Sequence, residues 1–526
     1  MNFHKFFSSV RSQKIINISQ YVSLSFLLLS YSVFVCTSYK FGVSDHNEQI
    51  PIVLRVLDSS YLMNDWFVNQ TEGLSPRFFF SQLISLFTHY LSINMVYFLL
   101  FVICSGITIF SIYFIAHTLF ENNLVALFTA LAFLFGPRIS LGSNWITGQI
   151  LVPSTLAIAL ITFSLYLYLT NRKQVSFFIL GISTLFQPIL GLLAMGVVLV
   201  NEIMMVGTRK TTEIIVDSGK YLVIYGIIAV WGFLPLYLTS SDLSNPDIFY
   251  ILTYMRHPHH YCPFSFPYKD YLAFFGLLTI FLLAIYLNYI PKNPEFHHFC
   301  KICIGSILML GIIGTIFVEI IPIPLIGKLQ LFRINPFIAI FAYPYIFSLL
   351  IGTVSILIPK SLCLTPNKCH FMKPFVIVIA VILSGIILVQ TDIHATETKN
   401  DELYQWIQGN TPDDAVFIIP PRMDDFRLGA NRAIVVDWKA FPFKDSAIIE
   451  WKERIYDVTD NYENNFLFQG FSSYSQLDKS YALMNESDFL YLSKKYDAKY
   501  LVMTNERELG FTELYSGTRY RVYGIG

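Results

Sequence analysis

Apolar runs of about 20 residues, long enough to cross a bilayer, recur along most of this chain, and no other feature restricts its fold as strongly. They fall near residues 21–39, 94–118, 149–170, 219–238, 270–290, 301–320, 336–358 and 374–391. Three further runs, 124–136, 175–186 and 188–206, are shorter or broken by polar residues. Counting these gives about 11 spans. Charged residues make up 14% of the chain, against about 25% in a soluble domain. The deficit is spread over the first three quarters, so it marks spans rather than one large core. Lys5, Arg11 and Lys14 precede the first run, as in a signal peptide, but no small-residue cleavage site follows it. It reads as a retained span.

Lys and Arg are unevenly shared between alternate loops. A cytoplasmic N-terminus puts Arg172, Lys173, Arg209, Lys210, Lys220, Lys292, Lys301, Lys360, Lys368 and Lys373 inside. Fewer stand in the longer loops on the other side, so the bias favours this orientation. An odd number of spans then leaves the tail outside. The expected layout is a mainly α, polytopic helical bundle over residues 1–391, integral to the cell membrane, followed by an extracytoplasmic α/β domain over 392–526. The formal net charge is zero, so no broad basic field attracts nucleic acid. The seven cysteines are an odd set, and Cys300-Lys301-Ile302-Cys303 has no second pair or histidine set at zinc spacing. They read as apolar filler.

On this orientation the unusual residues gather on one membrane face. The outside loop 40–77 carries Ser44-Asp45-His46-Asn47-Glu48-Gln49, then Asp58 and Asn64-Asp65-Trp66. Asp45 and Glu48 are three residues apart and share a face if the segment is helical. Both carboxylates could then point at one ligand. Arg256-His257-Pro258-His259-His260 is the densest basic cluster and suits a phosphate or diphosphate; metal ligation is the other reading. Arg138 and Arg333 stand at span ends in two more outside loops, where a lone arginine is otherwise a snorkelling anchor. Gln187-Pro188 breaks a helix, giving either a Pro-kinked pair or a cavity-lining break.

In the tail, charges become dense and apolar runs shorten. Strands are expected at Ala415–Ile419, Ala433–Val436, Lys499–Met503, Phe511–Tyr515 and Arg519–Tyr523. Helices are expected over 401–409, 446–458 and 485–495, an alternation typical of α/β domains. Asp424, Asp425, Arg427, Arg432, Asp437 and Lys439 form a charged set after two strand ends, where such sheets bind ligands.

An acidic first outside loop, a surface helix after Arg77, about 11 spans and an outside α/β tail together resemble the GT-C class of integral-membrane glycosyltransferases. The stretches Trp406-Ile407…Asn410-Thr411-Pro412-Asp413-Asp414-Ala415-Val416-Phe417 and Asp488-Phe489-Leu490-Tyr491-Leu492…Tyr496-Asp497-Ala498-Lys499-Tyr500-Leu501-Val502 are similar to the beginnings and ends of outside domains in that class. Arg256-His257-Pro258-His259-His260 and Val436-Asp437-Trp438-Lys439 resemble pieces of an uncharacterised bacterial family with this layout.

The resemblance implies transfer of a sugar from a polyprenyl-phosphate-linked donor, with the bilayer as the other partner. It places the first-loop acid on Asp45 or Glu48, as base or metal ligand, and a second acidic site on Asp65. Arg138, Arg256, His257, His259, His260 and Arg333 would then bind substrate. Two features depart from the class: there is no adjacent Asp-Asp pair in the first loop, and no Trp-Trp-Asp motif. The alternatives are a non-catalytic membrane subunit, or a lipid or sugar transporter. The near absence of charge inside the spans argues against transport.

Overall fold

The computed structural model describes residues 3–204, 210–240, 245–357, 373–394, 400–460 and 468–525. Arg209, Lys360 and Lys368, counted above for orientation, lie outside them. Among the described residues, every apolar run expected as a span contains a helix. Among the described residues, six helices are long and apolar enough to cross a membrane: Ser19–Ser38, Ile93–Phe120, Thr211–Thr239, Tyr268–Tyr286, Pro294–Ile320 and Pro324–Ser355. The remaining runs form shorter apolar helices, including Asn123–Phe135, Pro153–Leu169, Lys173–Phe186 and Pro188–Ile203. The chain is an integral membrane protein.

Proline sets where many of these helices start. Pro153, Pro188, Pro246, Pro258, Pro294 and Pro324 stand in the first turn of their helices, where the missing N–H costs nothing and φ is already helical. Asn122 and Asn293 cap the helices that follow them by accepting backbone N–H groups. The break at Gln187-Pro188 is packed against protein. Gly232 of Thr211–Thr239 lies against the Thr184 carbonyl, where a Cβ would clash, and the Thr184 hydroxyl meets Tyr225 Oη at 3.0 Å. Of the two readings of this break, the geometry matches the Pro-kinked pair.

The segment expected as the polar loop 40–77 is mostly structured. It contains α1 (His46–Leu57) and α2 (Trp66–Gln70). In α1, Ile50, Ile52 and Val53 are buried, and so are His46, Asn47 and Gln49. A solvated loop would leave those polar residues in water; here they are covered by the bundle and the tail. Next comes α3 (Phe78–Thr88), which buries Phe80 and Ile84.

The tail forms a five-stranded mixed sheet in the order β2-β1-β3-β5-β4. Its strands are β1 (Val416–Ile418), β2 (Ala433–Ile434), β3 (Tyr500–Thr504), β4 (Thr512–Ser516) and β5 (Tyr520–Gly524). The first three are parallel and the last two antiparallel to their neighbours. Side chains alternate between the faces, as the pleat requires. Phe417, Val502 and Val522 join Leu403, Ile407 and Phe426 on one side. Ile418, Leu501, Met503 and Tyr523 join Trp438, Trp451, Leu477 and Phe489 on the other. The second core also takes in Ile248, Ile251 and Met255 from the segment between two long helices, so the tail is packed onto the helical part.

Candidate functional site

The site begins at the start of α1. Ser44 has φ +54, a left-handed conformation that costs a non-glycine residue about 1–2 kcal/mol. It turns the chain so that Asp45 becomes the N-cap. An N-cap aspartate ordinarily accepts a backbone N–H from its own helix, yet the Asp45 side chain makes no such bond. Its Oδ1 instead accepts from Lys439 Nζ at 2.5 Å. The Asp45 side chain remains 43% accessible although protein surrounds it, so it stands in an open recess. One helical turn on, Glu48 faces Arg77 at 3.5 Å, as the three-residue spacing implies.

Three other segments reach the same recess. A π-helical turn, Ile251–Arg256, ends in Arg256, whose Nη2 donates to the Lys439 carbonyl at 2.9 Å. Its guanidinium also lies over the Trp438 ring, 5.9 Å from the centroid. The following short helix, Pro258–Tyr261, carries His259 and His260 with ring centroids 4.1 Å apart. The Nδ1–H of His260 bonds the Gly142 carbonyl at 2.8 Å; Gly142 has φ +81, open to glycine without strain. Arg333, from the 3₁₀ segment Leu331–Phe337, donates to Gln330 Oε1, and Gln330 in turn donates to Tyr261 Oη.

Burial pushes the Asp45 carboxyl up, but Lys439, then Arg77, outweigh it and hold the group below its ordinary value. Burial and the nearby charge of Asp45 push Glu48 up, against Arg77 and Lys439. One carboxylate is thus kept ionised and its neighbour is drawn towards the acid form, the separation that acid–base sites use.

The imidazoles differ from the cationic cluster expected from sequence. Burial, then the neighbouring His260 and Arg256, lowers His259 to about 2. Burial lowers His260 to about 4, and His257 also falls well below its usual value. All three are neutral at neutral pH. The positive charge of the recess comes from Arg256, Arg333, Arg77 and Lys439.

Asp65 and Arg138 lie elsewhere. Asp65 is 0% exposed. Its Oδ1 caps α2 by accepting from Val68 N at 3.0 Å. Its Oδ2 accepts from Arg427 Nε at 2.8 Å and from Ile434 N at 3.1 Å. Arg427 also pairs with Asp437, whose other oxygen accepts from Ala440 N at 2.6 Å. These bonds clamp the first loop to the tail and shape the turn that presents Lys439. Asp65 therefore holds the site together from behind. Arg138 is exposed and lies over Trp145, 5.6 Å from its centroid.

A divalent cation at Asp45 and Glu48 does not fit this donor set. Each carboxylate already faces a protein cation, and among the described residues no group of three or more His, Cys, Asp or Glu is arranged to hold a metal ion.

Lys439 and Arg77 are the members that sequence reasoning did not assign to the site. Lys439 was visible only as part of a charged set after a strand end, and Arg77 as the start of a surface helix.

The fold defined by this bundle and tail is GT-C-like. It is similar to an oligosaccharyltransferase from Archaeoglobus fulgidus tethered with an acceptor peptide, with TM-score 0.50 and 13% identity over 92% of this chain and 69% of that one. It is likewise similar to AglB, the archaeal oligosaccharyltransferase of the same organism, in complex with an inhibitory peptide and a dolichol-phosphate (TM-score 0.51, 13% identity, 92% and 69% covered). ArnT from Cupriavidus metallidurans, bound to undecaprenyl phosphate, aligns over 96% of this chain and 97% of its own at 13% identity, with TM-score 0.48. In sequence, a family model described as a domain of unknown function, DUF6798, matches residues 399–458. That stretch supplies Arg427, Asp437 and Lys439. No curated protein sequence matches the chain.

Proposed function

We propose that the recess is the active site of a membrane glycosyltransferase. It moves a sugar from a polyprenyl-phosphate-linked donor to an acceptor at the outer face of the membrane. The N-terminus is cytoplasmic, and residues 392–526 form the extracytoplasmic domain. The observation that carries this reading is an ionised, accessible Asp45 ringed by Arg77, Arg256, Arg333 and Lys439. Asp45 takes the proton of the acceptor hydroxyl, and the guanidinium groups stabilise the departing phosphate. Neutral His259 lies beside it, while the single N–H of neutral His260 is held by the Gly142 carbonyl. The GT-C-like fold, shared with a protein whose structure holds dolichol-phosphate, supports the choice of donor.

The experiment is transfer of a labelled sugar from polyprenyl-phosphate donors by purified protein in lipid. Labelled product that disappears in Asp45→Asn supports the reading; wild-type activity unchanged by that substitution removes Asp45 from the chemistry. A second reading is a non-catalytic subunit that kept the fold. The Lys439 ammonium on Asp45 favours it, because that ion pair lowers the carboxylate's basicity. A wild-type protein that binds donor and never transfers its sugar would support this alternative.

A further inference from the structure

The tail gives the recess a rim, and the chemistry above leaves that rim without a task. Phe471, in the 3₁₀ turn Gly470–Ser473, is 57% exposed. Its ring lies on that of His259, with centroids 4.3 Å apart and planes 31° from parallel. The turn is pressed onto the bundle here: a Cβ on Gly470 would meet the Pro258 ring at 2.8 Å. Protein thus backs the Phe471 ring on one side and leaves the rest of it open. Tyr474 stands nearly perpendicular to it, at 84° and 5.5 Å between centroids, so the two rings form a corner. The Arg422 guanidinium covers Tyr474 at 4.4 Å and is held there by Asp478 at 2.6 Å.

Two residues beyond Arg422 stands Asp424, in the turn after β1. Its Oδ2 accepts from Asn47 Nδ2 at 3.3 Å. The basic groups around it, Arg422 and Lys439, are engaged by Asp478 and Asp45. Burial, then Asp437, pushes the Asp424 carboxyl up to about 6, against Asn47 and the weaker pull of Lys439. Beside it the amide oxygen of Asn47 is buried with no hydrogen-bond partner. Lys439 acts electrostatically on His259 as well as on Asp424, and His259 is the residue under Phe471. Phe471, Tyr474, Arg422, Asp424, Lys439 and His259 therefore follow one another round a single opening, with Asp45 bonded to Lys439 inside it.

We infer that this rim is the acceptor subsite and that the acceptor is a saccharide. A sugar ring has a face of C–H groups that packs on an aromatic ring, and an edge of hydroxyls that donate to oxygen acceptors. The rim offers both: an open aromatic corner and the carboxylate of Asp424. A few placed polar groups beside an aromatic surface are the usual make-up of a small-molecule site. A phosphate diester or an acyl chain has no donor for those oxygens, and a turn that only dips into the bilayer has no use for a carboxylate beside its aromatic corner. The inference rests on the transferase reading for the reaction and on the rim for the acceptor. One saccharide hydroxyl oxygen bonds to the anomeric carbon of the donor sugar as the carbon–oxygen bond to phosphate breaks. The electron pair leaves with the phosphate, and the hydroxyl proton passes to Asp45.

The test uses the full-length protein in nanodiscs, titrated with maltotriose, chitotriose, mannotriose, sorbitol and a serine-rich hexapeptide and followed by saturation-transfer NMR. At least one trisaccharide should bind about tenfold or more tightly than sorbitol, which has the hydroxyls and no ring face. Phe471→Leu keeps an apolar side chain and removes the flat ring, so it should weaken that trisaccharide about fivefold or more; Phe471→Trp should retain it. Asp424→Asn should weaken it about tenfold, as loss of a charge-assisted bond does. No trisaccharide binding more tightly than sorbitol to wild type would overturn the inference, and this comparison needs no variant to fold. Equal binding by Phe471→Leu and wild type, or tighter binding of the hexapeptide than of every trisaccharide, would also overturn it. A trisaccharide bound through Phe471 by a protein that transfers no sugar would keep the saccharide site and refute the transferase reading. Sugar transfer to another acceptor by a protein that binds no trisaccharide would do the reverse.

Discussion

The Lys439 ammonium lies 2.5 Å from the Asp45 carboxylate although 394 residues separate the two in the chain. One comes from the start of the first helix after the first span, the other from a turn following β2. Their meeting joins the tail to the bundle at the point where the candidate chemistry is placed. It also sets the state of the carboxylate, because Lys439 is the group that most opposes the upward pull of burial on Asp45.

Replacing Lys439 by Met should therefore raise the Asp45 pKa. A carboxylate acting as a base works only when ionised, so the acid limb of the pH–rate profile should move to higher pH. The cost in stability should be small, about 1 kcal/mol or less, because both partners are partly open to water. An unmoved acid limb in Lys439→Met would show that another group sets the pH dependence.

Arg427→Met should act on folding instead. It leaves two buried carboxylates, Asp65 and Asp437, without their shared cation. Breaking a buried pair in this way costs about 3–5 kcal/mol, measurable as earlier unfolding in mixed micelles. Asp65→Ala should also destabilise, since it removes the cap of α2 and one half of the clamp. A variant at Asp65 that folds normally yet has lost all transfer would contradict its placement in the clamp.

How much of this was legible in the sequence differs between the parts. The helices follow from the lengths of the apolar runs, and the five strand segments follow from short β-branched and aromatic runs such as Val416-Phe417-Ile418. The grouping of Asp45, Glu48, Arg256, His259, His260 and Arg333 could be anticipated from loop orientation, because each stands at a span end on one expected side. Lys439 could not. Its position depends on the Arg427–Asp65–Asp437 clamp, a contact across more than 360 residues that leaves no local pattern. Asp65 looked like a site acid for the same reason: a carboxylate that caps and clamps has the same letter as one that reacts. The histidines were misjudged in charge because burial is invisible in a list of residues.

Acid should weaken the fold through such histidines. His46 is fully buried, accepts from Gly42 N at Nδ1 and donates from Nε2 to the Leu151 carbonyl, a pattern that requires the neutral ring. Burial lowers its pKa to about 4, below the ordinary value of about 6.5. The unfolded chain then binds the proton more readily, so stability is full above about pH 6.5 and is lost as pH falls towards 4. His46→Gln should flatten that decline. An equally steep decline in the variant would assign the acid sensitivity to other groups.

The most direct measurement is single-turnover sugar transfer from a lipid-linked donor, comparing wild type with Asp45→Asn while donor affinity is measured on the same samples. The account predicts a rate lower by about 10²–10⁴-fold, as for loss of a general base, with donor binding and unfolding nearly unchanged, since the amide keeps the shape of the carboxylate. A rate in Asp45→Asn equal to that of wild type would contradict it.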